Sequence, residues 1–490
     1  MPAKRGTAVS DTRRSPAGRR SAAALCAMSC AVATACVFFS WPARASGLLN
    51  PFVCDPHGQP DLANVYAIDF NPAALGGLHG TNIVVDGALA VSFLKFDRTA
   101  PLSPSPSNPP SAVNYSGYVA TNTGTNTASN AGLIPFVGAS SDFGSRLLFG
   151  GVGVYAPFGG SVQWQPASRW ANNATFPGAV DGPQRWQSVS VADTSVAASV
   201  AFGARVLDER LSFAIALTGY LHHVELDKAF NSDGSDDVTG PTGMLKEGRA
   251  YLDVSGVDVG ATAGVYLVPD ADRRLRIGAS YTSQPGFGPM RLAGTLQERL
   301  GITPSTSDNV DLLQSYPDII RLGVAYRASD DVDLRLHGQY VRWSVFTNAC
   351  VVDRGQPCSV NADGSAVTPG QIIANDPANF HDAGALHAGI GYWPHPRVEM
   401  FADLGFDTSA VPNDSQGRTL FDSFKVIGSL GLRYSVSKHL ALGGSYTQVY
   451  YLPLTVTSQK QWLTPSTVPF ANGSYASHLE FVDANATVAF

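Results

Sequence analysis

The sequence predicts an all-β fold, a transmembrane antiparallel β-barrel with an N-terminal plug inside it. Three observations carry this expectation. Only 15% of the 490 residues are charged, while 49 are Gly and 10% are aromatic, a balance that departs from soluble domains towards walls that face lipid. Beyond residue 80 the hydrophobic pattern has period two almost throughout, the period of strands with two distinct faces. Finally, the chain opens with an export signal, and no run of 18 or more apolar residues follows Ala45. Any membrane span must therefore be built from strands, and these must close on themselves because lipid offers no partners for an open edge.

The N-terminal region is read first. Lys4, Arg5, Arg13, Arg14, Arg19 and Arg20 form a basic lead, an apolar run covers residues 22–41, and Ala43-Arg44-Ala45 is an A-x-A cleavage signal. The paired arginines are followed by a poor match to a twin-arginine signal, and an uncleaved anchor is the other alternative to a cleaved peptide. Removing residues 1–45 takes away seven Lys/Arg and one Asp, which leaves 26 basic against 38 acidic residues and a net charge of −12. A nucleic-acid partner is not expected for such a chain. Cys26, Cys30 and Cys36 leave with the signal; Cys54, Cys350 and Cys358 remain. Cys350 and Cys358 flank seven residues of loop-like sequence in an exported protein, so a disulfide is expected. A metal pair would lack further His or Cys ligands nearby.

Residues 46–80 show no sustained period, but Phe52, Val65, Tyr66, Ile68, Phe70 and Leu75 are too apolar for a free tail. The segment is expected to pack inside the barrel, with residues 81–490 forming the wall. Asn71-Pro72-Ala73, closed by Gly76-Gly77, is a turn cluster, and Ile83, Val85, Gly87, Leu89, Val91 and Phe93 then fall on one face of a first strand. Residues 99–130, rich in Pro, Ser, Asn and Thr, read as a long surface loop with at most one weak strand. A run over 146–158 follows, and 160–186 reads as another loop. Strands are then expected in pairs: 188–206 with 211–226, 251–268 with 275–296, 319–328 with 332–346, 386–393 with 398–406, and 424–436 with 439–455, before a last one at 479–490 that ends in an aromatic residue. Very short turns join the members of each pair, whereas 227–250, 347–381 and 457–477 are long. Short turns at one rim and long loops at the other are the layout of an outer-membrane barrel.

Strand phase places several cations in the lumen. The apolar neighbours of Arg276, Arg321, Arg335, His337 and Arg433 take the lipid face, which turns these five inward, and an Arg on the lipid face would cost about 2–4 kcal/mol near the midplane. They either pair with acids such as Asp333 and Asp403 or bind a substrate carboxylate. His222 is a further candidate, because the strand phase slips at His222-His223 as a bulge would make it slip. Pro157 interrupts the run Tyr155-Ala-Pro-Phe158-Gly159. It cannot donate to a ladder, so it marks either the strand's end at the rim or a break in the wall, for which Asn71-Pro72-Ala73 would be the cover. Enzymatic patterns are missing: there is no H-E-x-x-H and no G-x-S-x-G, and His381 and His387 have no such context. No catalytic residue, metal or cofactor is expected.

Five stretches resemble the FadL/TodX family of outer-membrane transporters for long-chain fatty acids and hydrocarbons. They are Asn71-Pro72-Ala73; 151–159 (GVGVYAPFG); 276–283 (RIGASYTS); 316–326 (YPDIIRLGVAY) with 338–343 (GQYVRW); and 405–413 (GFDTSAVPN). The resemblance implies fourteen strands, a hatch bearing the Asn-Pro-Ala motif, and a kinked third strand whose lateral opening would involve Pro157, Phe158 and Gly159. The chain departs from the family pattern in a short hatch of about 35 residues, without a Gly-Ala-rich lead. In place of a Pro-Asp turn before the late hairpin it has Phe421-Asp422. The expected function is passive, inward passage of hydrophobic small molecules across the outer membrane by a monomer in contact with outer-membrane lipid. A surface-interaction or adhesion barrel working through its long loops is the alternative, and a general porin comes third.

Overall fold

Alternating side chains make every strand of this chain two-faced, and the two faces meet different solvents. The structure, a computed structural model, describes residues 58–99, 102–103, 115–361, 365–416, 421–457 and 469–490. The signal segment, the first part of the expected plug and Cys54 lie outside the described residues. Eighteen ladder segments form one antiparallel sheet in which the first pairs with the last. Four strands are each made of two segments, so the closed wall has fourteen strands.

In chain order these are β1 (Thr81–Arg98), β2 (Gly124–Ser141), β3 (Leu148–Gln163), β4 (Ser190–Val206), β5 (Leu211–Phe230) and β6 (Gly248–Leu267). The interrupted strands follow: β7 (Leu275–Thr282 and Met290–Arg299), β8 (Thr306–Gln314 and Ile319–Arg327), β9 (Val332–Val341 and Asn348–Asp353) and β10 (Ile372–Pro377 and Ala383–His395). β11 (Val398–Asp407), β12 (Lys425–Ser435), β13 (Leu440–Val456) and β14 (Gly473–Ala489) complete the wall. Within the stretch expected as a surface loop, 99–130, the described residues include an eight-residue helix, Tyr115–Asn122, and the first seven residues of β2. Asn, Thr, Ser and Gly hide the first part of that strand, where Asn126 and Asn130 face inward and Thr125, Thr127 and Ser129 face outward. Segments 348–353 and 372–377 are strands within the stretch 347–381 expected as a long loop, and 306–314 is a strand where none is expected from the sequence.

The hydrophobic face changes sides along the tall strands. On β5 the outward residues Phe213, Ile215, Leu217 and Leu221 are exposed to lipid. Eight steps of about 3.3 Å, tilted by about 40°, carry this stripe roughly 20 Å, close to the height of an outer-membrane apolar band. Above it the outward residues are His223 and Glu225, while Val224 and Leu226 turn inward. β6 does the same: Val257, Val259 and Val265 face out below, and Leu252 and Val254 face in above. No bulge exists at His222-His223, since β5 keeps continuous register with both β4 and β6. The apparent slip is the point where the strand leaves the bilayer and its greasy face turns from lipid to lumen.

Residues 58–80 lie against the inward faces of the wall. A short helix, Ala67–Phe70, leads into a 3-10 turn, Pro72–Gly77. Pro72 starts that turn at no cost because its missing N–H would be unpaired there anyway. Close approach depends on glycine in the wall: a Cβ at Gly153 would meet Ile68 at 2.7 Å, and one at Gly264 would meet Asn71 Oδ1 at 2.0 Å. The Cys350–Cys358 disulfide is present, with Cys350 inside the upper segment of β9 rather than in the loop that carries Cys358.

Candidate functional site

The inverted upper faces of β5 to β10 enclose an apolar cavity of about 150 Å³. Val224, Leu226, Leu252, Leu312, Val351 and Phe346 line it, with Trp186, Gln187, Asn231 and Pro469 from the long loops above. The loops are held by buried charge. Arg98 donates to Asp236 (2.7 Å), which also accepts from the Tyr118 hydroxyl (2.5 Å). Arg185 binds Glu247 through two bonds of 2.8 and 2.9 Å, and Trp186 donates to Asn122 (2.7 Å). Both guanidinium groups are fully buried, so each depends on its carboxylate and on the carbonyls around it.

The cavity floor is polar and aromatic. Asp193 on β4 accepts from the hydroxyl of Tyr316, which stands in the interruption of β8. The Tyr316 ring packs against Phe158 at 4.8 Å and edge-on to His222 at 5.3 Å. His222 Nδ1 shares a 2.6 Å hydrogen bond with Ser195 Oγ.

Phe158 belongs to a defect in the wall. Against β4, Ala156 and Pro157 together face the single residue Val196, which makes a bulge between Tyr155 and Phe158. On the other side β3 pairs with β2 only from Phe136↔Tyr155 to Ser141↔Gly150, and contact resumes at one bridge, Ala128↔Trp164. In between, β2 residues 129–135 pair with β1 alone, and β3 residues 158–163 pair with β4 alone. Across this gap Asn130 Oδ1 accepts from the Gln163 N–H (3.0 Å). Pro157 therefore does not end the strand, which continues to Gln163. Gly159, at φ 149°, takes a backbone angle that other residues resist.

Asn71-Pro72-Ala73 does not lie over this gap, contrary to the expectation from sequence. Asn71 Nδ2 donates to the carbonyls of Pro60 (2.7 Å) and Val265 (3.0 Å), and its Oδ1 accepts from the Ala73 N–H (3.2 Å). The motif is thus fastened to β6. The part of the segment nearest the gap is Ile68 and Leu75, packed on Gly151 and Gly153 of β3, and Tyr66, whose ring lies 4.8 Å from Phe136.

The lumen cations point inward as expected, and they sit around the 58–80 segment, away from the cavity. Arg276 donates to Asp333 (2.6 Å), and Arg335 to Asp333 (3.3 Å) and Glu399 (2.9 Å). Arg321 donates to the carbonyl of Asp69 (3.4 Å) and to Thr282 (3.2 Å), and lies over the ring of Phe70. His337 stacks on His387 at 4.9 Å, and His387 lies between Asp403 (3.2 Å) and Asp407 (3.0 Å). Asp403 thus partners a histidine rather than an arginine. The void beside Arg321, His337 and His387 measures only about 20 Å³. Arg433 donates to Thr487 (3.2 Å) near the inner rim. A carboxylate ligand has no room beside Arg321, and Arg276 and Arg335 are occupied by acids. Asp61, fully buried in the segment, has no hydrogen-bond partner for either carboxylate oxygen, and burial pushes its pKa up to about 6.

Sequence reasoning missed the residues that build the cavity, and it missed Arg205, which donates from Nε to the Gly76 carbonyl at 2.7 Å. The usable signal for the cavity was the phase inversion itself, which at His222-His223 had suggested a bulge.

A family model described as outer membrane protein transport protein (OMPP1/FadL/TodX) matches residues 59–486. No curated protein matches the chain. Among solved structures, a FadL homologue of Pseudomonas aeruginosa superposes with a TM-score of 0.72 at 14% identity, covering 91% of this chain and 100% of that one. The toluene transporter TbuX of Ralstonia pickettii gives 0.59 at 14% identity, with 90% and 99% covered. The toluene transporter TodX of P. putida gives 0.57 at 11% identity, with 87% and 94% covered. At such identities these likenesses concern the fold alone. With the family model spanning nearly the whole barrel, the chain belongs to the OMPP1/FadL/TodX family of outer-membrane transport proteins, channels of the Gram-negative outer membrane rather than enzymes.

Proposed function

We propose that this chain is a passive channel that takes compact hydrophobic molecules from the cell exterior and releases them sideways into the outer membrane through the gap between β2 and β3. The observation that carries this reading is the gap itself, where two strands run side by side unpaired between paired stretches above and below. Lipid cannot satisfy open strand edges, so a break of this kind is a costly feature of a barrel wall and is retained for a use. The apolar cavity supplies the capture site. Its volume is close to that of a cavity known to hold one benzene molecule, so a single-ring compound fits it and an extended long acyl chain does not. The toluene transporters among the similar structures agree with that size. On the same reading residues 58–80 are the plug that closes the direct route through the barrel, and Phe158 on Tyr316 divides the cavity from the gap.

The test is uptake of labelled toluene by Gram-negative cells stripped of their own channels for hydrophobic compounds, with this chain expressed or replaced by an equally abundant general porin. Faster uptake with this chain, and no ion conductance of porin size in planar bilayers, is the expected result. Uptake no faster than with the porin overturns the reading.

A further inference from the structure

Below the apolar cavity, the inward faces of β4, β5 and β6 bring together three polar side chains that hold neither the plug nor the loops. His222 is fully buried and lies one inward position below Val224, which lines the cavity. Its Nδ1 is occupied by Ser195 Oγ at 2.6 Å, while its Nε2 is buried without a hydrogen-bond partner. Asp258 Oδ2 is also buried and without one. The two unpaired atoms face each other at 3.9 Å, too far apart for a hydrogen bond of their own. Native interiors seldom leave two such groups unmade side by side.

We propose that His222 Nε2 and Asp258 Oδ2 form a hydroxyl-recognising subsite in the transit path, so that the channel favours phenols and other hydrophobic alcohols over bare hydrocarbons. The inference rests on the transport reading above. One oxygen about 2.8 Å from each atom fits a 3.9 Å separation. With Ser195 donating to Nδ1, the neutral ring carries its proton on Nε2 and donates it to the hydroxyl oxygen, and the hydroxyl donates its own proton to Asp258. Both atoms are then paired and no charge is created. A hydrocarbon leaves both unpaired. A carboxylate is repelled by Asp258, which has no Lys or Arg partner within ion-pair distance among the described residues. Ring stacking holds the imidazole in place, with Tyr220 at 5.8 Å on one side and the edge of Tyr316 at 5.3 Å.

The experiment compares 4-methylphenol with the isosteric 1,4-dimethylbenzene, since their difference isolates the hydroxyl. Binding of each is measured on the purified full chain, wild type, His222→Phe and Asp258→Ala. The phenylalanine keeps the stacking and removes the nitrogens; the alanine tests the other half of the site if the first variant does not fold. The expected result is that the affinity ratio of phenol to hydrocarbon falls about tenfold in either variant, the size of one well-made hydrogen bond. An unchanged ratio in the folded variants, with the hydrocarbon still bound, overturns the subsite and leaves the transport reading standing. Failure of the wild type to bind either compound overturns both.

Discussion

Removing Pro157 alone should close the wall. Between Phe136↔Tyr155 and Ala128↔Trp164, β2 advances eight residues and β3 nine, so the mismatch across the gap is one residue. The mismatch with β4 is also one residue, because Ala156 and Pro157 share Val196. Deleting Pro157 removes both mismatches and leaves every inward and outward side chain on its present face. Residues 129–135 would then oppose seven residues of β3, and Pro135 would leave one donor missing. About six new interstrand bonds at roughly 0.5–1.5 kcal/mol each amount to about 3–9 kcal/mol in favour of the closed wall. Substituting the glycine beside it is a poorer test, since a Cβ at Gly159 would come within 2.9 Å of the Asp193 carbonyl in a backbone region that side chains rarely adopt. The assay joins hydrogen exchange at residues 129–135 with toluene uptake. The expected result is stronger protection there, retained heat-modifiability, and uptake at background. A variant with protected strands that still transports at the wild-type rate would refute a lateral exit and direct the route through the base of the barrel.

Other consequences can be checked separately. Because burial raises the Asp61 pKa to about 6 from an ordinary 3.8, the docked segment holds more protons than the undocked one between those values. Its docking should be strongest below about pH 4, weaken by roughly 3 kcal/mol as pH rises to about 6, and stay level above. Cysteine accessibility along residues 58–80 at pH 4 and pH 7 would read this, and Asp61→Asn should abolish the difference. Arg98→Met leaves Asp236 buried without its cation and should cost about 3–5 kcal/mol in the loop assembly, seen as new proteolytic cleavage between residues 99 and 123 while the barrel itself survives. Arg321→Met should alter the binding of a fatty acid and of a neutral hydrocarbon to the same degree, since Arg321 contacts the segment's Asp69 carbonyl rather than the cavity; a loss confined to the fatty acid would contradict this. Reducing Cys350–Cys358 should loosen only the outer part of β9, by about 2–3 kcal/mol at most for so short a loop, and peptide mapping of protein from the envelope should recover the two residues joined.

The wall was largely legible because its physics is local. Each residue between 211 and 221 reports which solvent it faces, and two-residue alternation survives in a single sequence. The same logic turned Arg276, Arg321, Arg335, His337 and Arg433 inward correctly. It failed where the local signal is weak or reversed. β2 carries Thr, Asn and Ser on its faces and resembles a loop, and in the upper halves of β5 and β6 the apolar residues pass from the outward face to the inward one.

The sequence by itself pointed to a β-barrel, to the inward lumen cations, to the two cysteines that join, and to Pro157 as either the end of a strand or a break in the wall. Those follow from alternation, from the missing proline N–H and from composition, none of which needs a partner to be known. Only the tertiary structure decided that Arg276 and Arg335 are matched by Asp333 and Glu399, that Asn71 is fastened to β6 rather than over the gap, and that nine residues of β3 run beside eight of β2. It also decided that His222 and Asp258 face each other below an apolar cavity. These are relations between residues far apart in the chain, set by strand register and by how the segment of residues 58–80 seats against glycines in the wall.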